Sequence, residues 1–258
     1  MRREGLSVNE AGEKKPTITV VVPALDEEGN IEAAVADVRR ALDGRFSDYE
    51  IIVFDDGSTD STPRIIDRLA EEDSRVRAVH NDGNRGLGYC YTEGVRLASM
   101  EYVVLIPGDN EIPAAAMERI FDAVGKADIV VPYTANPSVR PLPRRIVSRL
   151  FVIILNTLFG MDLRYYNGTC VHKTSIVKHV PMSTMGFAYM ASILVRELKA
   201  GASFTEVGVH IKQRDTGATK AFAPANVISV ARTIAELFYD VRIKNRHKYN
   251  KPLRRVTA

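Results

Sequence analysis

Cysteine is scarce in this sequence, and the two that occur exclude a disulfide framework. Cys90 and Cys170 lie eighty positions apart with no CxxC spacing, so neither a disulfide framework nor a zinc site is indicated. The five histidines show no HxxxH or His–Cys clustering, which also argues against zinc. We expect two reduced, partly buried thiols in a cytosolic protein.

Long apolar runs are also missing. The most apolar stretch, Leu150–Phe159, has ten residues and includes Asn156 and Thr157, whereas a membrane-spanning helix needs about 20. Residues 1–16 lack the apolar core of a secretory signal, and we expect them to form a disordered leader. The sequence therefore predicts a cytoplasmic protein with no membrane span.

Acidic residues are absent from two segments that are rich in arginine and lysine. The formal net charge is only +3, too small to indicate nucleic-acid binding, and none is expected. Residues 129–161 contain no Asp or Glu but carry Arg140, Arg144, Arg145 and Arg149. Residues 241–258 also lack acids and carry seven Lys or Arg. Such segments are typical of a surface that faces phosphates, although a solvated cationic tail is an alternative.

Short β-branched runs alternate with helical patterns along the chain. The predicted strands are Thr17–Pro23, Glu50–Phe54, Val76–His80, Tyr102–Ile106, Ile129–Pro132 and Ser203–His210. The predicted helices are Ile31–Leu42, a helix from near Pro63 to Glu72, Gly86–Ser99, Ala114–Val124, Pro143–Gly160, Gly186–Ala200 and Ala225–Asn245. This alternation indicates an α/β fold with a mostly parallel, Rossmann-like sheet and helices on both faces. We expect one domain over residues 17–224, followed by a helix and basic tail over 225–258.

Three loops that follow predicted strands are rich in acids, glycine and proline. They are Pro23–Asn30 (PALDEEGN), Asp55–Thr62 (DDGSTDST) and Pro107–Pro113 (PGDNEIP). Ligands of parallel α/β sheets bind beyond the carboxyl ends of the strands, so the three loops predict a metal and sugar site there. No GxGxxG follows the first strand, which disfavours a dinucleotide-binding dehydrogenase.

Two pairs of carboxylates in these loops are the chemical candidates. Asp55 and Asp56 end a strand, where they could accept hydrogen bonds from a base or ribose, or merely cap the turn before Gly57. Asp109 and Glu111 lie two positions apart and could bind one hard divalent cation. A solvated loop at a helix start is the alternative for that second pair.

Five segments together resemble the family-2 glycosyltransferases. Pro23–Asn30 resembles their PxxNEE opening, Phe54–Asp60 their DDGSxD loop and Asn84–Gly88 their NxGxG segment. Ile106–Glu111 falls where the DxD-type metal motif occurs, and Arg214–Lys220 resembles the RxxGxSK segment of the polyprenyl-phosphate sugar synthases. The match covers residues 17–222 and points to the dolichol-phosphate mannose synthase branch. It implies a GT-A type fold and transfer from a nucleotide-sugar donor.

The resemblance also implies roles for individual residues. The residues implied to bind the nucleoside are Pro23, Leu25, Glu27, Asp55 and Asp56. Asp109 and Glu111 are implied to hold Mg²⁺ or Mn²⁺ against the donor's diphosphate. The chain departs from the DxDxQ pattern, because Pro107 cannot ligate a metal and Glu111 replaces the Gln.

Three basic residues are candidates for the phosphates. Arg144, Arg214 and Lys220 complete the predicted catalytic set with Asp109, since guanidinium forks and ammonium groups match phosphate oxygens. Arg140, Arg145 and Arg149 stay undecided between lipid headgroups and solvent. The segment Asp162–Gly168 is loosely similar to the D(x)TSGxR region near the acceptor of these enzymes.

The predicted acceptor follows from a missing carboxylate. Many inverting relatives have an Asp in the helix after a Gly-Phe dipeptide, but Gly186–Ser192 contains no acid. A hydroxyl acceptor needs a base near pH 7, whereas a phosphate monoester is already ionised. We therefore expect inverting transfer of a hexosyl group from a UDP- or GDP-sugar to a polyprenyl phosphate, with the enzyme peripheral on the cytoplasmic membrane face.

Two other functions remain open from the sequence. One is a soluble glycosyltransferase that acts on a sugar or small-molecule hydroxyl. The other is an inactive pseudoenzyme that binds a nucleotide-sugar. The sequence does not distinguish UDP from GDP and predicts no oligomeric state.

Overall fold

The computed structural model of the chain describes residues 15–211 and 224–257. The strands are β1 Thr17–Ala24, β2 Asp48–Asp55, β3 Val76–His80, β4 Tyr102–Leu105, β5 Ile129–Thr134, β6 Val171–Lys173, β7 Ser203–Val209 and β8 Arg254–Arg255. The α-helices are α1 Ile31–Leu42, α2 Thr62–Glu72, α3 Leu87–Leu97, α4 Ala114–Phe121, α5 Leu142–Phe159, α6 Thr174–Val177, α7 Tyr189–Ala200 and α8 Pro224–Phe238. A 3₁₀ turn covers Pro137–Val139, and a π-helical segment, Tyr239–Lys244, continues α8.

These eight strands form one sheet in the order β3-β2-β1-β4-β6-β5-β7-β8. All neighbours are parallel except β6, which runs antiparallel to both β4 and β5. Seven strands therefore have their carboxyl ends at one edge of the sheet, which we call the site edge. The predicted α/β class, with a mostly parallel sheet, is confirmed.

Strand β1 lies in the interior of the sheet because nearly all of its side chains can be buried. Val20, Val21 and Val22 are fully buried, and they alternate between the two faces. One face packs beneath α1, α2 and α4, and the other beneath α3, α5, α7 and α8. Helices therefore cover both faces, as predicted.

The sequence analysis missed the two shortest strands. The predicted final helix also ends earlier than Asn245, because α8 gives way to the π-helical segment at Tyr239. In the tail that follows, Arg254 and Arg255 pair with Ser203 and Phe204 of β7. Part of the predicted basic tail therefore lies against the edge of the sheet.

The antiparallel direction of β6 determines where the middle of the chain lies. Strand β5 ends at the site edge, and β6 begins there because its direction is reversed. The whole segment 135–170, including α5, therefore leaves the site edge and returns to it. In the parts of the chain that the structure describes, no helix is both long and apolar enough to cross a bilayer.

Candidate functional site

Backbone hydrogen bonds join the acidic loops at the carboxyl ends of β1, β2 and β4. The amide of Asp56 donates to the carbonyl of Ala24 at 2.9 Å, which connects the second loop to the first. The amide of Gly108 donates to the carbonyl of Pro23 at 2.9 Å, which connects the third loop to the first. The three predicted loops therefore meet at one place, centred on the end of β1.

Side chains fix the first loop against the second. Asp26 has a positive φ of 55°, an uncommon conformation that needs support from its surroundings. Its amide donates to Ser58 Oγ at 3.0 Å, and its Oδ1 accepts from the Thr59 amide at 2.7 Å. The amide of Glu27 donates to Thr62 Oγ1 at 2.8 Å. These contacts hold Glu27 in place at the site edge.

Asp55, the last residue of β2, is almost fully buried and has two partners. Its Oδ1 accepts from the Ser58 amide at 2.9 Å, the bond expected of a turn cap. Its Oδ2 lies 3.1 Å from His80 Nδ1, and His80 Nε2 lies 2.9 Å from Asp67 Oδ1. Each carboxylate oxygen can accept two hydrogen bonds, so Asp55 keeps acceptor capacity for a ligand.

Asp56 organises the loop that follows β3. Its Oδ1 accepts from Asn81 Nδ2 and from the Arg85 amide, both at 2.8 Å, and its Oδ2 accepts from the Gly86 amide at 2.8 Å. Three N–H donors from residues 81–86 therefore converge on one buried carboxylate. The NxGxG-like segment owes its position beside the site to this side chain.

Gly57 allows the second loop to approach the loop after β3. Its φ is +81°, and a Cβ there would lie 2.5 Å from the Gly83 Cα. Any side chain would collide with backbone and would also strain the turn. Only glycine lets the two loops pack this closely.

Glu27, Asp109 and Glu111 form the acidic centre of the site. Burial raises the pKa of the Glu27 carboxyl; the hydrogen bond from Asn30 Nδ2 (2.7 Å) opposes this, and the charges of Asp109, Glu111 and Asp60 add to it. The amide of Glu111 donates to Asp109 Oδ1 at 3.1 Å, which holds the two metal candidates on one short turn. Glu27, a nucleoside candidate from the sequence, thus lies electrostatically close to the metal candidates.

This centre fits a cation that is only partly held by protein. Among the described residues, no three His, Cys, Asp or Glu side chains lie close enough together to hold a metal ion. Mg²⁺ typically takes one or two protein carboxylates and completes its shell with substrate phosphates and water. Asp109 and Glu111 supply oxygen donors of that kind and number, and carboxylates suit Mn²⁺ equally.

The remaining nucleoside candidates occupy different environments. Pro23 is buried within β1 and its carbonyl accepts the Gly108 bond, so it shapes the loops. Leu25 is 38% exposed on the rim of the site. Of the nucleoside candidates, Leu25 is exposed, Glu27 is half-buried, and Asp55 is buried with acceptor capacity to spare.

The structure describes only one of the phosphate candidates. Arg144 lies half-buried in the first turn of α5, which starts from the site edge. Arg214 and Lys220 lie outside the described residues.

The loop from α5 to β6 is held by a chain of polar contacts. The Arg164 amide donates to Glu206 Oε1 at 2.7 Å, and the Arg164 guanidinium donates to Tyr133 Oη and lies over that ring. Arg255 of β8 pairs with Glu206 Oε2 and with Asp162 Oδ1, the latter at 2.9 Å. The tail of the chain is thereby connected to the segment that resembles an acceptor region.

Helix α5 presents an apolar stripe to solvent. Leu142, Ile146 and Leu150 are 61%, 59% and 54% exposed, and Val147, Ile153 and Ile154 are also exposed. The four-residue spacing places the first three on one face. Arg145 and Arg149 are exposed on the same helix. Large exposed apolar surfaces with polar borders mark sites of interaction with a partner or a membrane.

His80 was not among the predicted site residues, because the spacing of the histidines bears on zinc binding and not on the contacts of a single ring. Its position at the end of β3, one residue before the loop that Asp56 organises, is the signal that could have identified it. Helix α7 begins at Tyr189, three residues later than the predicted start at Gly186, so the segment Gly186–Ser192 lies partly before the helix. The segment contains no carboxylate.

Comparison with known proteins places this geometry in context. Residues 19–181 match the family described as Glycosyl transferase family 2. Polyprenol monophosphomannose synthase of Mycolicibacterium smegmatis is 26% identical over 245 residues, which are 88% of this chain and 91% of that protein. Undecaprenyl-phosphate mannosyltransferase of Micrococcus luteus is 21% identical over 214 residues, 79% of this chain and 86% of that protein.

A solved structure shares the fold. Glucosyl-3-phosphoglycerate synthase of Mycobacterium tuberculosis, in complex with Mn²⁺, uridine-diphosphate-glucose and phosphoglyceric acid, superposes with a TM-score of 0.64 at 20% identity. The alignment covers 86% of this chain and 80% of that one. This likeness, at the level of fold, agrees with the GT-A architecture expected from the sequence.

Proposed function

The chain belongs to glycosyl transferase family 2, and from that premise we propose that it transfers a hexosyl group from a UDP- or GDP-sugar to a polyprenyl phosphate. The observation that carries the proposal is that two features lie at the site edge. The acidic loops suited to a nucleotide-sugar lie at the same edge of the sheet as the start of α5, with Arg144 and an exposed apolar stripe. A donor site beside an apolar, arginine-bordered surface suits a lipid-linked phosphate acceptor.

On the donor side, Asp55 is the acceptor for a base or ribose. It is held by Ser58 and His80 and still has acceptor capacity, so it can receive an N–H or O–H from the nucleoside. Leu25 offers apolar contact at the rim, and Glu27 is part of the acidic centre. Asp56 supports binding indirectly by ordering residues 81–86.

Asp109 and Glu111 would hold a divalent cation, Mg²⁺ or Mn²⁺, together with the donor's diphosphate. Such a cation neutralises the charge that develops on the departing diphosphate. Arg144, with Arg214 and Lys220, is proposed to neutralise phosphate oxygens of the donor or the acceptor. These side chains position the two phosphate-bearing substrates against each other, which is the larger part of catalysis for a transfer without a base.

The acceptor assignment follows from the groups near the start of α7. The segment Gly186–Ser192 supplies no carboxylate to deprotonate a hydroxyl. A phosphate monoester attacks through an oxygen that is already ionised and needs no base. The relative from Mycolicibacterium smegmatis is named for a polyprenol monophosphomannose product, and the relative from Micrococcus luteus for an undecaprenyl-phosphate acceptor. Both names support the same acceptor class.

The test is an assay with UDP-glucose and GDP-mannose, each with a short polyprenyl phosphate, with phosphoglyceric acid, or with no acceptor. Turnover that requires polyprenyl phosphate supports the proposal, and an inverted anomeric configuration in the product supports direct displacement. Transfer to phosphoglyceric acid or a sugar hydroxyl alone would establish the soluble alternative. Nucleotide-sugar binding with no turnover under any condition would establish a pseudoenzyme.

We further propose that α5 holds the enzyme peripherally on an anionic membrane. Its exposed leucine and isoleucine side chains would enter the interface, and Arg145 and Arg149 would contact lipid phosphates. Sedimentation with phosphatidylglycerol vesicles should show binding that weakens with salt, because salt screens surface charges.

Two variants and one control sharpen the vesicle experiment. Leu150→Glu and Arg145→Glu should each reduce the sedimented fraction several-fold. Arg40→Glu, a charge reversal at an exposed arginine of α1, should leave it unchanged. Equal binding by all four proteins would exclude α5 as the membrane contact.

A further inference from the structure

His80 lies between two carboxylates from two different elements. Its Nδ1 is 3.1 Å from Oδ2 of Asp55, at the end of β2, and its Nε2 is 2.9 Å from Oδ1 of Asp67 in α2. The His80 side chain is 40% exposed and the Asp55 side chain only 6%, so the ring closes the outer side of a buried carboxylate. The roles described above use His80 only as a partner of Asp55, and they do not use Asp67.

The geometry requires both ring nitrogens to donate. An ionised carboxylate only accepts hydrogen bonds, and a neutral imidazole carries one N–H and one bare nitrogen. The neutral ring can therefore bond to Asp55 or to Asp67, but not to both. Only the doubly protonated ring makes the two contacts at once.

The charges around the ring favour that protonated form. Burial of the ring lowers its pKa, but the hydrogen bonds that the ring donates to Asp55 and Asp67 and the charges of those two carboxylates together raise the pKa of His80 above 6.5. The cations of the adjoining helix have other partners: Arg68 pairs with Glu32, and Arg64 donates to Ser61. In the loop after β3, Arg85 lies over the Tyr89 ring, and Asp82, the remaining charge of this loop, is of the sign that favours a protonated ring.

We propose that His80 is a positioning residue for nucleotide binding: its doubly protonated ring holds the Asp55 carboxylate in the orientation that accepts the nucleoside. This inference rests on the proposed function, in which Asp55 receives a hydrogen bond from the base or ribose. It adds a dependence of nucleotide affinity on pH that acts through His80.

The direction of the pH effect follows from the raised pKa. Below the ordinary value of 6.5 the ring is charged in any state, and the bridge is intact. Between 6.5 and the higher pKa of the folded protein the bridge persists. As pH rises through that folded pKa, the ring loses one proton, one of its two bonds breaks, and Asp55 loses its fixed orientation in part of the molecules. Nucleotide affinity should therefore fall as pH rises.

The first measurement needs no nucleotide. An NMR titration of the His80 Cε1–H signal should give a pKa above 6.5 in the wild type and a lower pKa in Asp67→Asn, because one of the two negative charges has been removed. Glu72→Gln is the matched control, since it removes the same charge from the same helix at a residue that faces Arg68. Its titration should match the wild type.

The second measurement is the dissociation constant of UDP-glucose and of GDP-mannose with Mg²⁺, from pH 5.5 to 8.5. These donors carry the sugar on the terminal phosphate, so no phosphate proton titrates near neutrality. Wild-type affinity should weaken about three- to tenfold across the titration of His80, the loss of one oriented hydrogen bond. Asp67→Asn should shift that transition to lower pH, and His80→Gln should make the profile flat.

The outcomes separate this inference from the proposed function. If neither donor binds at any pH, the proposed function fails while the NMR result still reports on the bridge. If a donor binds with an affinity that ignores pH in the wild type, or with a transition that Asp67→Asn does not move, His80 has no positioning role. A His80 pKa at or below 6.5 would also overturn the inference.

Discussion

Asp55 and Asp56 are adjacent in the sequence, but their carboxylates have different partners. Asp55 accepts from Ser58 and from a histidine that can change its protonation, and it retains acceptor capacity. Asp56 accepts from three amide N–H groups, and amides do not lose a proton in the physiological pH range. Because the partners lie up to 30 positions away, the sequence could nominate both residues but could not separate their roles.

This difference predicts unequal costs for the same substitution at the two positions. In Asp56→Asn, either orientation of the amide directs an NH₂ group at an N–H donor, so we expect a loss of about 1–3 kcal/mol in unfolding free energy. In Asp55→Asn, the His80 ring can present its bare nitrogen to the new NH₂, so the loss should be smaller. Urea denaturation of both variants at pH 7.5 measures this. Equal losses would contradict the contrast.

The acidic centre gives a second prediction at this scale. Asp109→Ala should reduce transfer to near background, because Asp109 is the Asp that remains of the DxD-type motif, whereas Glu111→Ala should mainly weaken the apparent affinity for Mn²⁺ or Mg²⁺. Steady-state assays across a metal titration distinguish the two. Full activity of Asp109→Ala in the presence of a chelator would remove this pair from the reaction.

Among elements, those that the sequence predicted best are the buried parallel strands and the helices between them. The β-branched run Thr17–Pro23 matches β1 to within one residue, because a strand buried on both faces leaves a continuous apolar signal. Strand β6 has three residues, His172 among them, and β8 consists of two arginines. Such short segments carry no periodicity, and only their neighbours in the sheet determine that they are strands.

The close packing of the loops after β2 and β3 depends on Gly57. Gly57→Ala would place a methyl group against the Gly83 backbone at a positive φ, so the loops after β2 and β3 must separate. We expect at least tenfold weaker nucleotide binding and a lower melting temperature. Gly29→Ala, in the first loop, adds a methyl group with nothing within 4 Å and should change neither quantity. Calorimetry and thermal denaturation measure both; similar behaviour of the two variants would refute the prediction.

For the molecule as a whole, the last strand connects the end of the chain to the acceptor side. The Glu206 side chain is 4% exposed and pairs closely with Arg255, while the Arg164 guanidinium lies further away, at 4.0 Å. Arg255 also pairs with Asp162. The sequence indicated the basic tail but could not show that Arg255 has partners 49 and 93 positions earlier. The expectation that the tail faces lipid therefore does not extend to Arg255.

We predict that Arg255→Gln destabilises the protein, because the nearly buried Glu206 carboxylate loses its close cationic partner and is left with the more distant Arg164, at 4.0 Å. The expected loss is about 1–3 kcal/mol, below that of a fully buried pair because Arg255 is 38% exposed. Arg254→Gln, the matched control, removes a 3.4 Å bond to the Gly201 carbonyl and a positive charge near Asp128, and should stay within about 0.5 kcal/mol of the wild type. Denaturant unfolding measures the free energies of unfolding of both variants. A larger loss in Arg254→Gln than in Arg255→Gln would contradict the role of Arg255.

The reversed strand β6 has a consequence for how such an enzyme can diversify. Residues 135–170 leave the sheet after β5 and re-enter it at β6, and these two strands are neighbours that pair at Val130 and Val171. This stretch can therefore be exchanged while the strands on either side of it stay in place. Its length and chemistry can change without altering the register of β1, β2 and β4, which carry the donor loops. Grafting this stretch from a relative with another acceptor should therefore transplant acceptor preference while the nucleotide preference of the recipient is retained.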